Sequence, residues 1–153
     1  MQITIAAKLT EREQEHEDFK ALKETGFYGR MGAGSLIFCS STKRYLLALR
    51  SGEVEQPGTW GIIGGALKND EKPLSAVRRE MKEELGLSLR ATPRLIYIFK
   101  SKSFSYFNYL VTVSKEFTPI CNWETERFEW FSRDDFPTPL HFGVIALIDN
   151  KAF

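Results

Sequence analysis

The run GGALKNDEKPLSAVRREMKEELGL, residues 64–87, constrains this chain more than any other part of it. Pro73 suits the first turn of a helix, where its missing amide hydrogen has no partner to lose. Gly86 suits the residue after the last turn, where a left-handed backbone is common. These brackets predict a helix over 73–85. Inside it Leu74, Val77, Met81 and Leu85 recur at three- and four-residue intervals and form an apolar stripe able to face a sheet. Glu80, Glu83 and Glu84 stand at i, i+3 and i+4 on another face, where their carboxylates repel one another. Arg79 can pair with Glu83 across one turn, but it leaves carboxylate oxygens over. A hard divalent cation fits that surplus, because Mg²⁺ takes oxygen ligands and is typically shared between a few carboxylates and substrate phosphates. Spacing alone does not settle the matter, since an ordinary solvated acidic face is the commoner outcome for three acids so placed.

Around this helix the chain reads as strands and turns. Strands are expected at 34–40, 45–50 and 60–64, the last after the turn-forming Pro57-Gly58, and again at 94–100, 104–113 and 128–131. Thr10 with Glu13 resembles a capping box, and 11–23 reads as an exposed helix in a peripheral N-terminal extension over 1–30. Pro137 and Pro139 break the chain before an apolar stretch, 140–148, read as a helix packed on the sheet. Residues 115–125 read as a loop, the kind of segment that carries function in small domains. The order of elements predicts an α/β class, and 153 residues suit one domain with one core over 1–153.

Gly65, five residues, Glu71, seven residues, Arg79-Glu80, apolar Met81, Lys82, Glu83-Glu84, Leu85, Gly86 and apolar Leu87 resemble the Nudix box at every defined position. A chance match is on the order of 10⁻¹⁰ per window at average residue usage. The resemblance implies a Nudix α/β/α sandwich with a mixed sheet and hydrolysis of a diphosphate linkage in a nucleotide-derived substrate. It also implies Mg²⁺, with Mn²⁺ as a substitute, held by Glu80, Glu83, Glu84 and the carbonyl of Gly64. Arg79 would orient the carboxylates and Glu71 would support them from the loop. Family members recruit a further acidic residue from a downstream loop, for which Glu124 is favoured over Glu126. Glu80 or the loop glutamate would serve as general base.

Specificity is thinner. Arg50, at the end of a strand, is a candidate phosphate contact. Asp134-Asp135-Phe136-Pro137 followed by His141 resembles the region that meets the nucleobase in MutT-type enzymes, so His141 is a candidate substrate contact with a structural role as its rival. Tyr106 is a third. Phe27, Tyr28, Trp60, Phe104, Phe107 and Trp123 are other aromatics able to stack on a base, although aromatics at strand spacing are more often core.

Charge narrows the partners. With 21 basic and 20 acidic residues the net charge is +1, so no overall field gathers RNA or an anionic surface. A small nucleotide is expected, and 5′-end RNA hydrolysis would have to rely on a local patch at Arg30, Lys43 and Arg44. A non-catalytic nucleotide-binding module is the remaining alternative, disfavoured because the box is intact. A homodimer is compatible with this reading. Cys39 and Cys121 lack metal spacing and are read as buried thiols, and no apolar run approaches a membrane span, so no membrane role and a cytoplasmic location are expected.

Overall fold

Strand β2 (Met31–Cys39) is almost wholly buried, which is why so apolar a sequence forms the middle of a sheet rather than its edge. A computed structural model describes residues 4–5, 31–86, 88, 90, 92–100 and 104–153. The other strands are β1 (Thr4–Ile5), β3 (Arg44–Arg50), β4 (Trp60–Gly61), β5 (Ile63–Ala66), β6 (Arg94–Lys100), β7 (Ser105–Val113) and β8 (Thr125–Ser132). One flank of β2 runs parallel to β7 from Met31↔Ser105 to Cys39↔Val113. The other flank pairs antiparallel with β5 over Gly32–Ser35 and with β3 over Ile37–Cys39. β6 lies antiparallel to β7, β1 parallel to β6, and β8 antiparallel to β3.

Between β2 and β3 the sheet opens into a fork that positions the site. Trp60 and Gly61 pair with β3, and two residues later Ile63 begins to pair with β2, so one extended segment wedges the two strands apart. The strand expected at 60–64 is therefore two short strands serving different partners.

Helix α1 (Pro73–Leu85) covers one face of the sheet. Ala76, Val77, Met81 and Leu85 pack there against Ala33, Ile37, Leu46, Ile63 and Val111. Leu74 does not join them; it is 39% exposed, because the first turn overhangs the sheet and the buried stripe begins at Ala76. Helix α2 (Phe142–Asp149) covers the opposite face, with Val144 against Leu36, Leu47 and Trp60, and Leu147 against Ile96 and Tyr97. A mixed sheet between helical layers is the α/β/α sandwich expected from sequence.

The helix expected from residue 140 begins two residues later. Leu140 is bridged to Trp60, whose carbonyl accepts the His141 amide at 2.8 Å and whose own amide donates to Pro139 O at 3.0 Å. The helix expected over 11–23, and the extension over 1–30, lie outside the described residues apart from β1. Among the described residues no helix is long and apolar enough to cross a membrane. Cys39 is buried as expected, but Cys121 is exposed, and both are free.

Candidate active site

The glycines of β5 and the carboxylates of α1 face each other across a gap too small for a side chain. A Cβ on Gly65 would come within 2.8 Å of the Glu80 carboxyl carbon, so glycine there is what lets Glu80 lie against the strand. One turn on, Glu84 accepts a long hydrogen bond from the Gly64 amide at 3.4 Å. Both acids are buried, Glu80 at 8% exposure and Glu84 at 5%.

Two carboxylates withdrawn from water side by side resist ionisation. Burial, then the Glu80 and Glu124 carboxylates, push Glu84 well above its ordinary range. Burial also raises Glu80, with Glu83 and Glu124 adding to the rise and Arg79 opposing it.

Arg79 ties the box together. Its Nε and Nη2 donate to the two carboxylate oxygens of Glu71 at 2.9 and 2.8 Å, Nη1 donates to Glu80 at 2.8 Å, and Nη2 also reaches the Ala66 carbonyl at 3.0 Å. The fork-to-fork pair is the geometry in which guanidinium and carboxylate bind most strongly. It holds Glu71 at about 2, helped by the Lys68 amide that donates to it at 3.0 Å. Glu83 joins at 3.2 Å from Nη1, the pairing expected from spacing, but its side chain is half exposed. The acids of α1 thus divide: Glu80 and Glu84 turn to the strand, while Glu83 stays at the rim. Among the described residues no three acidic side chains converge as a finished cation cage.

The donor set nevertheless fits a hard cation. It is all oxygen, it carries more negative charge than Arg79 neutralises, and its two buried acids gain most if a divalent ion replaces their shared protons. Glu124 lines the same cleft from residues 114–124, and its charge adds to the rise of Glu80 and Glu84. That loop is pinned: Asn122 Nδ2 donates to the Glu83 carbonyl at 3.3 Å, its Oδ1 accepts from the Glu124 amide at 2.9 Å, and the Ser51 amide donates to the Glu124 carbonyl at 3.0 Å. Glu126 is exposed and does not line the cleft.

The cleft itself encloses about 800 Å³, in the range of small-molecule sites. Arg50, Tyr106 and His141 all line it. Arg50 is half buried, with Nε donating to the Glu55 carbonyl at 2.7 Å. His141 caps α2: its Nδ1 accepts from the Gly143 amide at 2.9 Å, so the neutral ring carries its proton on Nε2. Burial, reinforced by Arg50, lowers it to about 3. His141 is therefore a structural cap whose ring also walls the cleft.

Tyr106 reaches across β2. Gly34 and Gly64 are register partners, and a Cβ on Gly34 would stand 2.6 Å from the Tyr106 hydroxyl, which also crowds the Gly64 position. The phenol thus fills a notch that only paired glycines leave. Burial, then Glu84 and Glu80, raise it above its ordinary value, so it remains a donor. Sequence reasoning had no means of finding this notch, whose only trace is glycine at both positions.

Of the candidate stacking residues, Trp60 and Phe107 belong to the core, Phe104 and Trp123 line the cleft, and Phe27 and Tyr28 lie outside the described residues. Phe99, Phe142 and Asn108 also line it without having been singled out, because their positions depend on strand pairing and on where α2 starts.

A model of the NUDIX domain matches residues 30–150. A Mycobacterium tuberculosis protein named "Putative 8-oxo-dGTP diphosphatase 3" is 29% identical over 132 residues, covering 78% of this chain and 61% of the relative. The chain thus spans about three-fifths of the length of the curated relatives it matches over most of its own. The CTP pyrophosphohydrolase of Escherichia coli is 41% identical over 44 residues, 29% of this chain and 33% of that protein. Among solved structures, a MutT NUDIX hydrolase from Burkholderia pseudomallei superposes with a TM-score of 0.67 at 28% identity, covering 79% of this chain and 96% of that one.

Proposed function

The chain belongs to the NUDIX domain family, and on that premise we propose that it is a Mg²⁺-dependent hydrolase of a diphosphate linkage in a nucleoside triphosphate or related nucleotide, acting in the cytoplasm. The observation that carries this reading is the pair of buried acids, Glu80 and Glu84, set against glycine backbone at the wall of a cleft. Such a pair is costly to keep unless it serves a cation. The names of the M. tuberculosis and E. coli relatives, both nucleotide hydrolases, point to the same substrate class.

In this proposal Glu80, Glu83, Glu84, Glu124 and the Gly64 carbonyl hold Mg²⁺, for which Mn²⁺ can substitute. Bound there, the ion would polarise the attacking water and offset charge building on the phosphoryl oxygens. Arg79 and Glu71 fix the carboxylates, and Arg50 meets a phosphate oxygen. Glu80, ionised once the cation has displaced its proton and made more basic by burial, would take the water proton as the new phosphorus–oxygen bond forms and the bridging bond breaks, its electron pair leaving on the departing phosphate oxygen. A triphosphate would yield a nucleoside monophosphate and pyrophosphate.

The test is a panel of nucleoside triphosphates, nucleotide sugars and 5′-triphosphate RNA, each with Mg²⁺ and with Mn²⁺, read as release of monophosphate or pyrophosphate. Metal-dependent turnover of at least one free nucleotide is expected. Tight nucleotide binding with no turnover would make the chain a non-catalytic member, and preference for RNA would replace the substrate class.

A further inference from the structure

Buried amides are normally matched on both their oxygen and their nitrogen, and Asn108 is matched on one side alone. It is 4% exposed, yet it lines the cleft from β7. Its Nδ2 donates to the carbonyls of Tyr97 and Tyr106, both at 3.4 Å, which is long for such bonds. Those carbonyls decide which way the amide is turned, since an oxygen in the place of Nδ2 would face two acceptors. Oδ1 is then left over, and among the described residues it accepts no hydrogen bond. A buried oxygen kept in that state costs stability unless something visits it.

Strand register fixes how far this oxygen's residue stands from the acidic centre. Asn108 pairs with Gly34 on one flank of β2, and Gly34 pairs with Gly64 on the other. Two strand spacings, about 10 Å, therefore separate the backbones of Asn108 and Gly64. Aromatic faces lie on the same side of the sheet. Phe99 is the register partner of Tyr106, two residues before Asn108, which makes it the diagonal neighbour of Asn108, and its ring centre lies 5.7 Å from that of Phe142. Both rings line the cleft. An unmatched acceptor beside apolar rings suits a flat ligand that carries a donor on its edge.

We propose that Asn108 is a specificity-determining residue whose Oδ1 accepts a hydrogen bond from an amine on the edge of the nucleobase. The favoured substrate then carries a base with an exocyclic amine, rather than one with a carbonyl or a hydrogen in its place. This rests on the hydrolase reading given under Proposed function and names a substrate class for it. A carbonyl at that point would set two acceptors against each other, and a hydrogen would leave Oδ1 unpaired. Sites built on a hydrogen bond reject analogues lacking it more strongly than apolar pockets reject a change of size.

The experiment assays the full chain as wild type, Asn108→Leu and Asn108→Ser, with Mg²⁺, on pairs of triphosphates that differ at an amine: cytidine and uridine, adenosine and inosine, guanosine and inosine. In at least one pair the wild type should favour the amine-bearing member by about tenfold or more in kcat/KM. Asn108→Leu should bring that ratio close to one, by raising KM for the amine-bearing member. Asn108→Ser is smaller, can still donate to a backbone carbonyl, and draws the acceptor back from the cleft, so it should act likewise and decides the matter where the Leu variant does not fold. A wild type with no amine preference in any pair, a preference that survives in a folded variant, or failure of both variants to fold, which would make Asn108 a structural residue, would overturn the inference and leave the hydrolase standing. No turnover of these triphosphates, nor of any other nucleotide in the panel, would remove both.

Discussion

Glu84 is an acid in surroundings that oppose its charge: buried, beside a second carboxylate, with one weak backbone donor. Such a group costs folding stability wherever it is ionised without a partner. Glu84→Gln keeps the shape and an acceptor for the Gly64 amide while removing the titration. The metal-free variant should therefore unfold at a higher temperature than the metal-free wild type, by a few degrees in calorimetry, and a lower midpoint would count against this account of the site. Tyr106→Phe removes only the hydroxyl from the glycine notch. Because that donor faces Glu84 and Glu80, Mn²⁺ binding measured by calorimetry should weaken along with turnover, whereas a purely packing role would leave Mn²⁺ binding unchanged. The acids of the box were legible because three- and four-residue spacing puts them on one helix whatever it packs against. The Tyr106 notch was not, since it depends on β7 lying parallel to β2 and on two glycines meeting from strands 30 residues apart in sequence, Gly34 and Gly64.

Local chemistry made α1 readable to the residue. Pro73 opens it, and Gly86 closes it at φ 73° with its amide donating to the Lys82 carbonyl at 3.0 Å. Among the described residues a Cβ at Gly86 would touch nothing nearer than Ile120 at 3.8 Å, so Gly86→Ala should cost only the backbone penalty, about 1 kcal/mol in denaturant titration, without impairing turnover. Leu74 was misjudged because periodicity records direction around the helix but not where the supporting sheet ends. α2 was misjudged at its start because the Trp60–Leu140 bridge is a tertiary contact. That bridge sets His141 as the cap, with a folded value near 3 against the ordinary 6.5. A base with a depressed folded value stabilises the fold fully above its unfolded value and loses that contribution as pH falls towards the folded one. Between about pH 7 and pH 4 the loss is about 3 kcal/mol. His141→Asn, which keeps a capping side chain, should flatten the pH dependence of the urea midpoint over that interval.

For the whole molecule, charge and its placement decide the reach of the substrate. Of the basic patch considered for RNA, Arg30 lies outside the described residues. Arg44 is spent on Glu116, to which its Nε donates at 2.7 Å. Lys43 and Arg44 also stand at the opposite end of β3 from Arg50, about 20 Å away at ordinary strand rise. Hydrolysis of 5′-triphosphate RNA should therefore be no faster than that of the matching free triphosphate, and a clear RNA preference that vanishes with added salt would contradict this. The sandwich was legible because strands and helices alternate in a recognisable order around the box. The fork between β2 and β3 was hidden, because one continuous strand and two short ones divided between partners have the same apolar pattern.

Turnover of a nucleoside triphosphate followed as Mg²⁺ is titrated in, with wild type beside Glu83→Gln and Glu84→Gln, bears most directly on the acidic site. Wild-type turnover should be absent in chelator and rise to saturation with the metal, and each variant should lose orders of magnitude while keeping the wild-type circular dichroism. Full metal-dependent turnover in either variant, or wild-type turnover that persists in chelator, would contradict the account.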